Sequence, residues 1–288
     1  MLTCLSESDL ERLIEEDVPY GDLTTRLLGI GDRRGRIVFF TRETTTLCCT
    51  EEAAAVLGKC GAAVTSCMPS GTSLPAGFEF LAAEGPAGSL HTGWKVALNL
   101  LEYASGIASR TQRIVEKATA VNPGVAVVTT RKSFPGTKKI AIKAITAGGA
   151  LPHRLGLSET VLVFRQHTLF LGGMESFLAG MAELKLKARE TRIIVEADSC
   201  EDALLVARSG ADIVQLDKVA PAELADTVRD IRNINPEIRI SAAGGINEAN
   251  AAEYAAAGID IIVLSSVYFG KPSDIGARIE PLSVRHQH

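Results

Sequence analysis

The sequence predicts an α/β protein in which an open, incomplete β/α barrel follows an N-terminal α+β, sandwich-like domain. After residue 120, six apolar runs alternate with helical stretches, which is typical of a parallel sheet covered by helices. Before residue 120, short β-rich segments lie among turns. The chain has 288 residues, of which 46% are hydrophobic and 22% charged, which is enough for one large domain or two modest ones with a sizeable buried core.

The N-terminal domain is predicted to cover residues 1–119, with the chain end, residues 268–288, packing back on it. Apolar residues at helical spacing, β-branched runs and a segment rich in glycine and proline define its elements. The elements are two helices, two strands and a hairpin-rich segment, at residues 8–16, 94–119, 36–40, 44–49 and 68–88.

The barrel domain is predicted to cover residues 120–267. Its six strands are the continuous apolar runs at residues 125–129, 160–164, 192–197, 212–217, 237–241 and 259–264. Its helices lie between them, at residues 174–190, 201–209, 222–233 and 248–257. Six such units favour a closed or nearly closed β/α barrel, and a doubly wound sheet is the alternative.

The composition narrows the class of protein. The formal net charge is −4, whereas nucleic-acid binders usually carry a broad basic face. No apolar run is long enough for a membrane helix, and the first seven residues lack a secretory signal pattern. The six cysteines show no metal-binding spacing. We therefore expect a cytoplasmic protein with reduced thiols, without a nucleic-acid partner or membrane insertion.

A cationic stretch begins where the first barrel strand ends. Six lysine or arginine residues and one histidine lie between Arg131 and Arg154, and no acidic residue interrupts them. The turn-forming pair Pro135-Gly136 lies within the stretch. Cations at the end of a buried strand predict a pocket for a multiply anionic small molecule. The alternative for the Arg131-Lys132 pair is a solvated turn.

In a β/α barrel, ligands bind at the carboxyl ends of the strands. Polar, small or charged residues follow all six predicted strands, at Thr130-Arg131-Lys132, Arg165-Gln166-His167, Glu196-Ala197-Asp198, Asp217-Lys218, residues 241–247 and Ser265-Ser266. We expect these ends to meet on one face. The final two loops, with Gly244, Gly245, Ser265 and Ser266, lie where such barrels bind a phosphate group, because glycine lets backbone N–H groups approach an anion.

Glu196 and Asp217 end neighbouring predicted strands. Paired carboxylates opposite a cationic site are suited to hold Mg²⁺ through water, to bind ribose hydroxyls or to stabilise developing positive charge. Ion pairs with Arg131 or Lys132 are the alternative role.

Several ordered motifs resemble the quinolinate phosphoribosyltransferase (nicotinate-nucleotide pyrophosphorylase) superfamily. They run from about residue 10 to about residue 270 and include residues 16–24, 97–99, 105–108, 130–132, 153–154, 195–196, 216–217 and 244–246. Within the superfamily, the chain most resembles the branch of molybdenum transport proteins called ModD.

The resemblance implies transfer of a 5-phosphoribosyl group from phosphoribosyl pyrophosphate to a nitrogen nucleophile, assisted by Mg²⁺. It also implies a homodimer whose subunits complete each other's sites. The residues implied as catalytic are Arg131, His153, Glu196 and Asp217, with the two acids also at the metal. The implied ligands of the acidic substrate and pyrophosphate are Lys95, Arg131, Lys132, His153 and Arg154, and those of the 5-phosphate are Gly244, Gly245, Ser265 and Ser266.

Two departures concern the acceptor half of the site. Lys95 stands where the quinolinate enzymes carry arginine, and lysine lacks the bidentate fork of a guanidinium group. Phe164 stands where they carry a substrate-binding lysine. Three hypotheses follow: a phosphoribosyltransferase for another aromatic or heterocyclic acceptor, a quinolinate phosphoribosyltransferase, or a non-catalytic oxyanion-binding protein linked to molybdenum metabolism.

Overall fold

A computed structural model describes residues 5–282 of the chain. These residues form two compact units, and the division falls inside one long helix. The first unit holds the residues up to Gln112, the segment Phe134–Gly148 and the residues from Gly270 onward. The second unit holds Arg113–Ser133 and Gly149–Phe269.

The helices, in chain order, are α1 (Glu7–Asp17), α2 (Leu23–Leu27), α3 (Thr50–Lys59), α4 (Ala87–Val121), α5 (Lys138–Ala147), α6 (Arg165–Thr168), α7 (Met174–Ala179), α8 (Met181–Lys187), α9 (Cys200–Ser209), α10 (Pro221–Ile234) and α11 (Ala251–Ala256). No helix within residues 5–282 has both the length and the apolar character needed to cross a membrane.

The strands are β1 (Arg34–Thr41), β2 (Thr45–Thr46), β3 (Ala63–Cys67), β4 (Ser73–Leu74), β5 (Glu79–Pro86), β6 (Ala126–Thr129), β7 (Leu151–Pro152), β8 (Val161–Val163), β9 (Ile193–Ala197), β10 (Ile213–Asp217), β11 (Arg239–Ala243), β12 (Ile261–Leu264) and β13 (Ile275–Pro281).

The first unit is built on an antiparallel sheet with strand order β13-β1-β5-β3. Alternating side chains of β1, such as Ile37 and Phe39, are completely buried and join the core of this unit. Helix α1 begins with a capping box, in which Ser6 and Asp9 satisfy each other's backbone N–H groups. Strand β13 pairs with β1 over the full length of β13, so the end of the described chain completes the sheet.

A buried ion cluster links α5 to α3 within the first unit. The side chains of Lys143 and Glu52 are 2% and 3% exposed, and Lys143 Nζ donates to Glu52 Oε1 at 2.7 Å and to Glu51 Oε2 at 2.9 Å. Burial raises the pKa of Glu51, but hydrogen bonds from Lys143 and Ser70 outweigh it and bring this pKa to about 2. Lys143 therefore has a structural role.

The second unit confirms the predicted open barrel. Its seven strands are all parallel, in the order β7-β6-β12-β11-β10-β9-β8. The edge strands β7 and β8 do not pair with each other, so the barrel is not closed. Six of the strands occupy the six predicted apolar runs, and the two-residue β7 was not predicted because it has no apolar run of its own.

Three local expectations were wrong. The helix predicted at residues 174–190 is two helices, because the chain turns at Gly180 between α7 and α8. The strand predicted at residues 44–49 contains only Thr45–Thr46, because Cys49 adopts a left-handed conformation, φ +60°, from which α3 begins. The stretch from residue 138 to 147 was interpreted as part of an anion pocket, but it forms α5, whose apolar face is buried in the first unit.

We predict that Glu52→Ala strongly destabilises the protein, because it leaves the buried ammonium group of Lys143 without its buried partner. The expected loss in the free energy of unfolding is about 3–5 kcal/mol, measured by urea denaturation. The matched double variant, Glu52→Leu with Lys143→Met, removes both charges and should lose less than Glu52→Ala. A double variant that is no more stable than Glu52→Ala would contradict this account.

Candidate active site

A cavity of about 810 Å³ opens in the second unit at the carboxyl ends of its parallel strands. The structure brings eleven of the predicted site residues together in its lining: Arg131, Lys132, His153, Arg154, Phe164, Glu196, Asp217, Gly244, Gly245, Ser265 and Ser266. The strand ends therefore meet on one face, as their positions in the sequence predicted.

One wall of the cavity is cationic. Strands β6 and β7 pair in parallel, and the His153 N–H donates to the Thr129 carbonyl oxygen at 2.9 Å, which brings the loop of Arg131 and Lys132 beside His153 and Arg154. No carboxylate among residues 5–282 lies within ion-pair distance of Arg131 or Lys132. Burial and the charge of Arg131 lower the pKa of Arg154. This wall therefore carries positive charge on Arg131 and Lys132 that no ion pair within residues 5–282 neutralises, which favours an anionic ligand.

His153 is uncharged at neutral pH in the free protein. Burial, with a further contribution from the Arg154 charge, lowers its pKa to about 4. A neutral imidazole carries one N–H donor and one acceptor nitrogen. An anion bound beside it would raise this pKa again, because negative charge favours the imidazolium form.

The acidic pair does not form the alternative ion pairs with Arg131 or Lys132. Instead, Glu196 Oε2 accepts a hydrogen bond from Gln215 Nε2 at 2.7 Å, and Asp217 Oδ2 pairs with Lys218 Nζ at 2.9 Å. Burial raises the pKa of Glu196, and the carboxylates of Asp217 and Asp198 add to the rise. A carboxylate with a raised pKa is suited to accept a proton.

The glycine loop after β11 packs tightly against Asp217 and Lys218. Gly244 has φ +91°, and a Cβ atom there would lie 2.5 Å from Lys218 Cγ and 2.7 Å from Asp217 Oδ1. Gly245, at φ +74°, faces open space. The predicted helix 248–257 begins only at Ala251 and has six residues, so no helix end directly follows the glycine loop.

The opposite wall is apolar and aromatic. Phe164 follows β8, lines the cavity together with Leu162, and stacks on His167 with ring centroids 5.7 Å apart and an interplanar angle of 18°. The Phe164 backbone N–H donates to His167 Nδ1 at 3.0 Å, which holds the second ring in place. This wall offers a flat surface on which a planar ligand can stack.

Lys95 is the one predicted site residue that does not line the cavity. It lies on α4 in the first unit, where its Nζ stands 4.7 Å from the centroid of the Trp94 ring.

Sequence reasoning missed Gln215 as a site residue and did not assign a role to Lys218. Both line the cavity, and both contact the acidic pair. Gln215 was missed because it is a single polar residue within an apolar strand. A polar residue in a buried strand is nevertheless unusual, and it could have indicated a functional role. Lys218 adopts φ +60°, a conformation that its residue type does not indicate.

Comparison with known proteins identifies the family. The model of the quinolinate phosphoribosyl transferase N-terminal domain matches residues 22–105, and that of the C-terminal domain matches residues 107–276. The chain belongs to the quinolinate phosphoribosyltransferase family. The resemblance expected from the motifs is thereby confirmed.

Members and structural neighbours of this family match most of the chain. The "Putative pyrophosphorylase ModD" of Rhodobacter capsulatus is 42% identical over 250 residues, which cover 86% of this chain and 95% of that protein. The carboxylating nicotinate-nucleotide pyrophosphorylase of Rattus norvegicus is 33% identical over 211 residues, 72% of this chain and 68% of that protein. The structure of the nicotinate-nucleotide pyrophosphorylase from Francisella tularensis shares the fold, with a TM-score of 0.87 at 22% identity over 97% of this chain and 99% of that one.

The two glycines of the phosphoribosyltransferase-family loop provide a matched pair of variants. We predict that Gly245→Ala costs about 1–2 kcal/mol in the free energy of unfolding, because only backbone strain opposes it. Gly244→Ala should cost more, because the new methyl group also collides with Asp217 and Lys218. Urea denaturation of both variants measures the difference, and equal costs would show that the close packing at Gly244 is absent.

The pKa of His153 predicts a pH dependence of stability. Its pKa is about 4 in the folded protein, against 6.5 for an unperturbed histidine, so the unfolded chain takes up the proton first. Stability is therefore lost as the pH falls from about 7 through 4. His153→Gln cannot titrate in this range, so the variant should lose less stability than the wild-type protein, by about 3 kcal/mol at pH 4. Parallel profiles of the two proteins in urea denaturation would refute the low pKa.

Proposed function

We propose that this protein transfers the 5-phosphoribosyl group of phosphoribosyl pyrophosphate to an aromatic or heterocyclic acceptor other than quinolinate. The observation that carries the proposal is the combination, in one cavity, of unneutralised cations, an acidic pair, a glycine loop and an aromatic wall. Phosphoribosyl pyrophosphate presents two anionic groups on either side of a polyhydroxylated ring, and the cavity offers a complementary surface to each part.

We assign the pyrophosphate and the 5-phosphate of phosphoribosyl pyrophosphate to separate groups of residues. Arg131, Lys132 and Arg154 bind the pyrophosphate, because no carboxylate among residues 5–282 forms an ion pair with Arg131 or Lys132, and the Glu159 charge acts on Arg154 less than its burial and Arg131 do. Gly244, Gly245 and the hydroxyl of Ser266 bind the 5-phosphate. Ser266 Oγ is buried and has no hydrogen-bond partner among residues 5–282, so it is free to donate to a phosphate oxygen.

The reaction is a displacement at C1 of the ribose. A nitrogen lone pair of the acceptor forms the new bond, the C1–O bond to pyrophosphate breaks, and pyrophosphate leaves with the electron pair. Positive charge develops on the sugar between these events, and the role we propose for Glu196 and Asp217, which line the cavity, is to stabilise it. Where the attacking nitrogen carries a hydrogen, the proton passes to Glu196, whose raised pKa suits a base.

Mg²⁺ fits this cavity as a companion of the substrate. No group of three or more His, Cys, Asp or Glu side chains in residues 5–282 is arranged to hold a metal ion by itself. Mg²⁺ is usually held by one or two carboxylates together with substrate phosphates, and Glu196 and Asp217 supply two carboxylates. When bound there, Mg²⁺ would supply positive charge that stabilises pyrophosphate as a leaving group.

Phe164 supports an acceptor other than quinolinate. Its ring gives the acceptor side of the cavity an apolar face where the resemblance leads one to expect a lysine, and Leu162 extends that face. A ligand with two adjacent carboxylates would have to bury charge against this face without a partner. Four further points stay predictions: that the protein is a homodimer, that Lys95 contributes to the site of a partner subunit, that the protein is cytoplasmic, and that it is linked to molybdenum metabolism.

Isothermal titration of the full chain with phosphoribosyl pyrophosphate and Mg²⁺ tests the proposal. We expect binding in the presence of Mg²⁺, and we expect Asp217→Asn to weaken it by at least about tenfold, because one charged contact is worth roughly 1.5–3 kcal/mol. Asp198→Asn is the matched control, since Asp198 also follows a barrel strand but is exposed and lies outside the cavity lining.

Binding by the wild-type protein and the Asp198→Asn variant, with loss in Asp217→Asn, would support the assignment. No binding of phosphoribosyl pyrophosphate at millimolar concentration would sink the proposed function. Tight binding of an oxyanion such as molybdate in its place would favour a non-catalytic binding protein.

A further inference from the structure

We propose that Phe164, Glu196 and Gln215 form the acceptor subsite, and that this row selects an uncharged planar heterocycle that carries an N–H hydrogen-bond donor. The inference deepens the proposed function and rests on it. Gln215 contributes to specificity because the orientation of its side-chain amide decides whether a donor or an acceptor faces the ligand.

Strand register places the three residues side by side. Gln215 and Glu196 are direct Cα partners in the parallel pair β10–β9. Val163 is the partner of Val195 in β8–β9, so Phe164 lies beside Glu196 at the next position. All three side chains line the same cavity. Neighbouring strands are about 4.8 Å apart, so the row spans roughly 10 Å, which is enough for one bicyclic ring system.

The orientation of the Gln215 amide is fixed by its neighbour. Its Nε2 donates to Glu196 Oε2 at 2.7 Å, and the carboxylate can only accept, so a flipped amide would set two acceptors against each other. The other end, Oε1, is buried and has no hydrogen-bond partner among residues 5–282. The residue is only 3% exposed, so bulk water does not solvate this oxygen freely.

A buried acceptor without a partner is unfavourable, and a ligand N–H that reaches it removes that penalty. The ligand group that fits is therefore an N–H, placed next to a ring that stacks on Phe164. A ring oxygen at the same place would face Gln215 Oε1, acceptor against acceptor. A carboxylate on this row would also lie near the Glu196 carboxylate, which like charge disfavours.

The test uses benzimidazole and benzoxazole as probes, because they have nearly the same shape and differ in an N–H against a ring oxygen. Each is titrated calorimetrically into the full chain saturated with pyrophosphate and Mg²⁺. We expect the wild-type protein to prefer benzimidazole by about tenfold, which corresponds to one satisfied hydrogen bond. Quinolinate should bind more weakly than benzimidazole.

Gln215→Met keeps the length of the side chain but removes the acceptor, and the preference should fall to within about twofold. Gln166→Met is the matched control, since Gln166 also lines the cavity but is exposed, and it should keep the preference. Circular dichroism checks that each variant is folded, and the comparison of the two probes in the wild-type protein does not depend on any variant.

Equal affinity of the wild-type protein for both probes, or tighter binding of quinolinate, would overturn the inference. Retention of the preference in Gln215→Met would also overturn it. Failure of the proposed function is a separate result, because it appears as an absence of phosphoribosyl pyrophosphate binding, whereas this inference fails on the acceptor probes alone.

Discussion

Parallel, in-register pairing of the barrel strands is the constraint on which the candidate site depends. Because side chains at paired positions of parallel strands point to the same face, pairing sets Gln215 beside Glu196 and Asp217 beside Ala243. A shift of one residue in β10 would turn Gln215 and Asp217 away from the cavity and replace them with apolar neighbours. The apolar runs that bury these strands therefore also determine which polar groups meet at their ends.

The negative and positive charges of the site differ in whether they have partners within the described chain. Lys218 neutralises Asp217 and Gln215 holds Glu196, so the acids have partners before any ligand binds. Arg131 and Lys132 have no carboxylate partner in the described chain, and His153 is neutral beside them. The wall therefore favours an anionic ligand, and the role we propose for the acids is to stabilise positive charge on the sugar.

Sequence reasoning predicted the open barrel and most of the cavity lining, because apolar runs mark strands and the barrel rule places ligands at their ends. It failed where a side chain's role depends on a partner distant in sequence. Lys139 and Lys143 looked like neighbours of Arg131, yet they pair with Asp9 and with Glu51 and Glu52. Gln215 could not be assigned for the same reason, since its role follows from a hydrogen bond across two strands.

The family accounts for the fold, and under the proposed function Phe164 and Gln215 give the acceptor side of the cavity its own chemistry. The most direct test of the central claim is ³¹P nuclear magnetic resonance of the protein with phosphoribosyl pyrophosphate, Mg²⁺ and a mixture of N–H heterocycles. The account predicts release of inorganic pyrophosphate that requires a heterocycle, together with a new 5-phosphoribosyl product. Pyrophosphate release only with quinolinate, or no turnover with any acceptor, would contradict it.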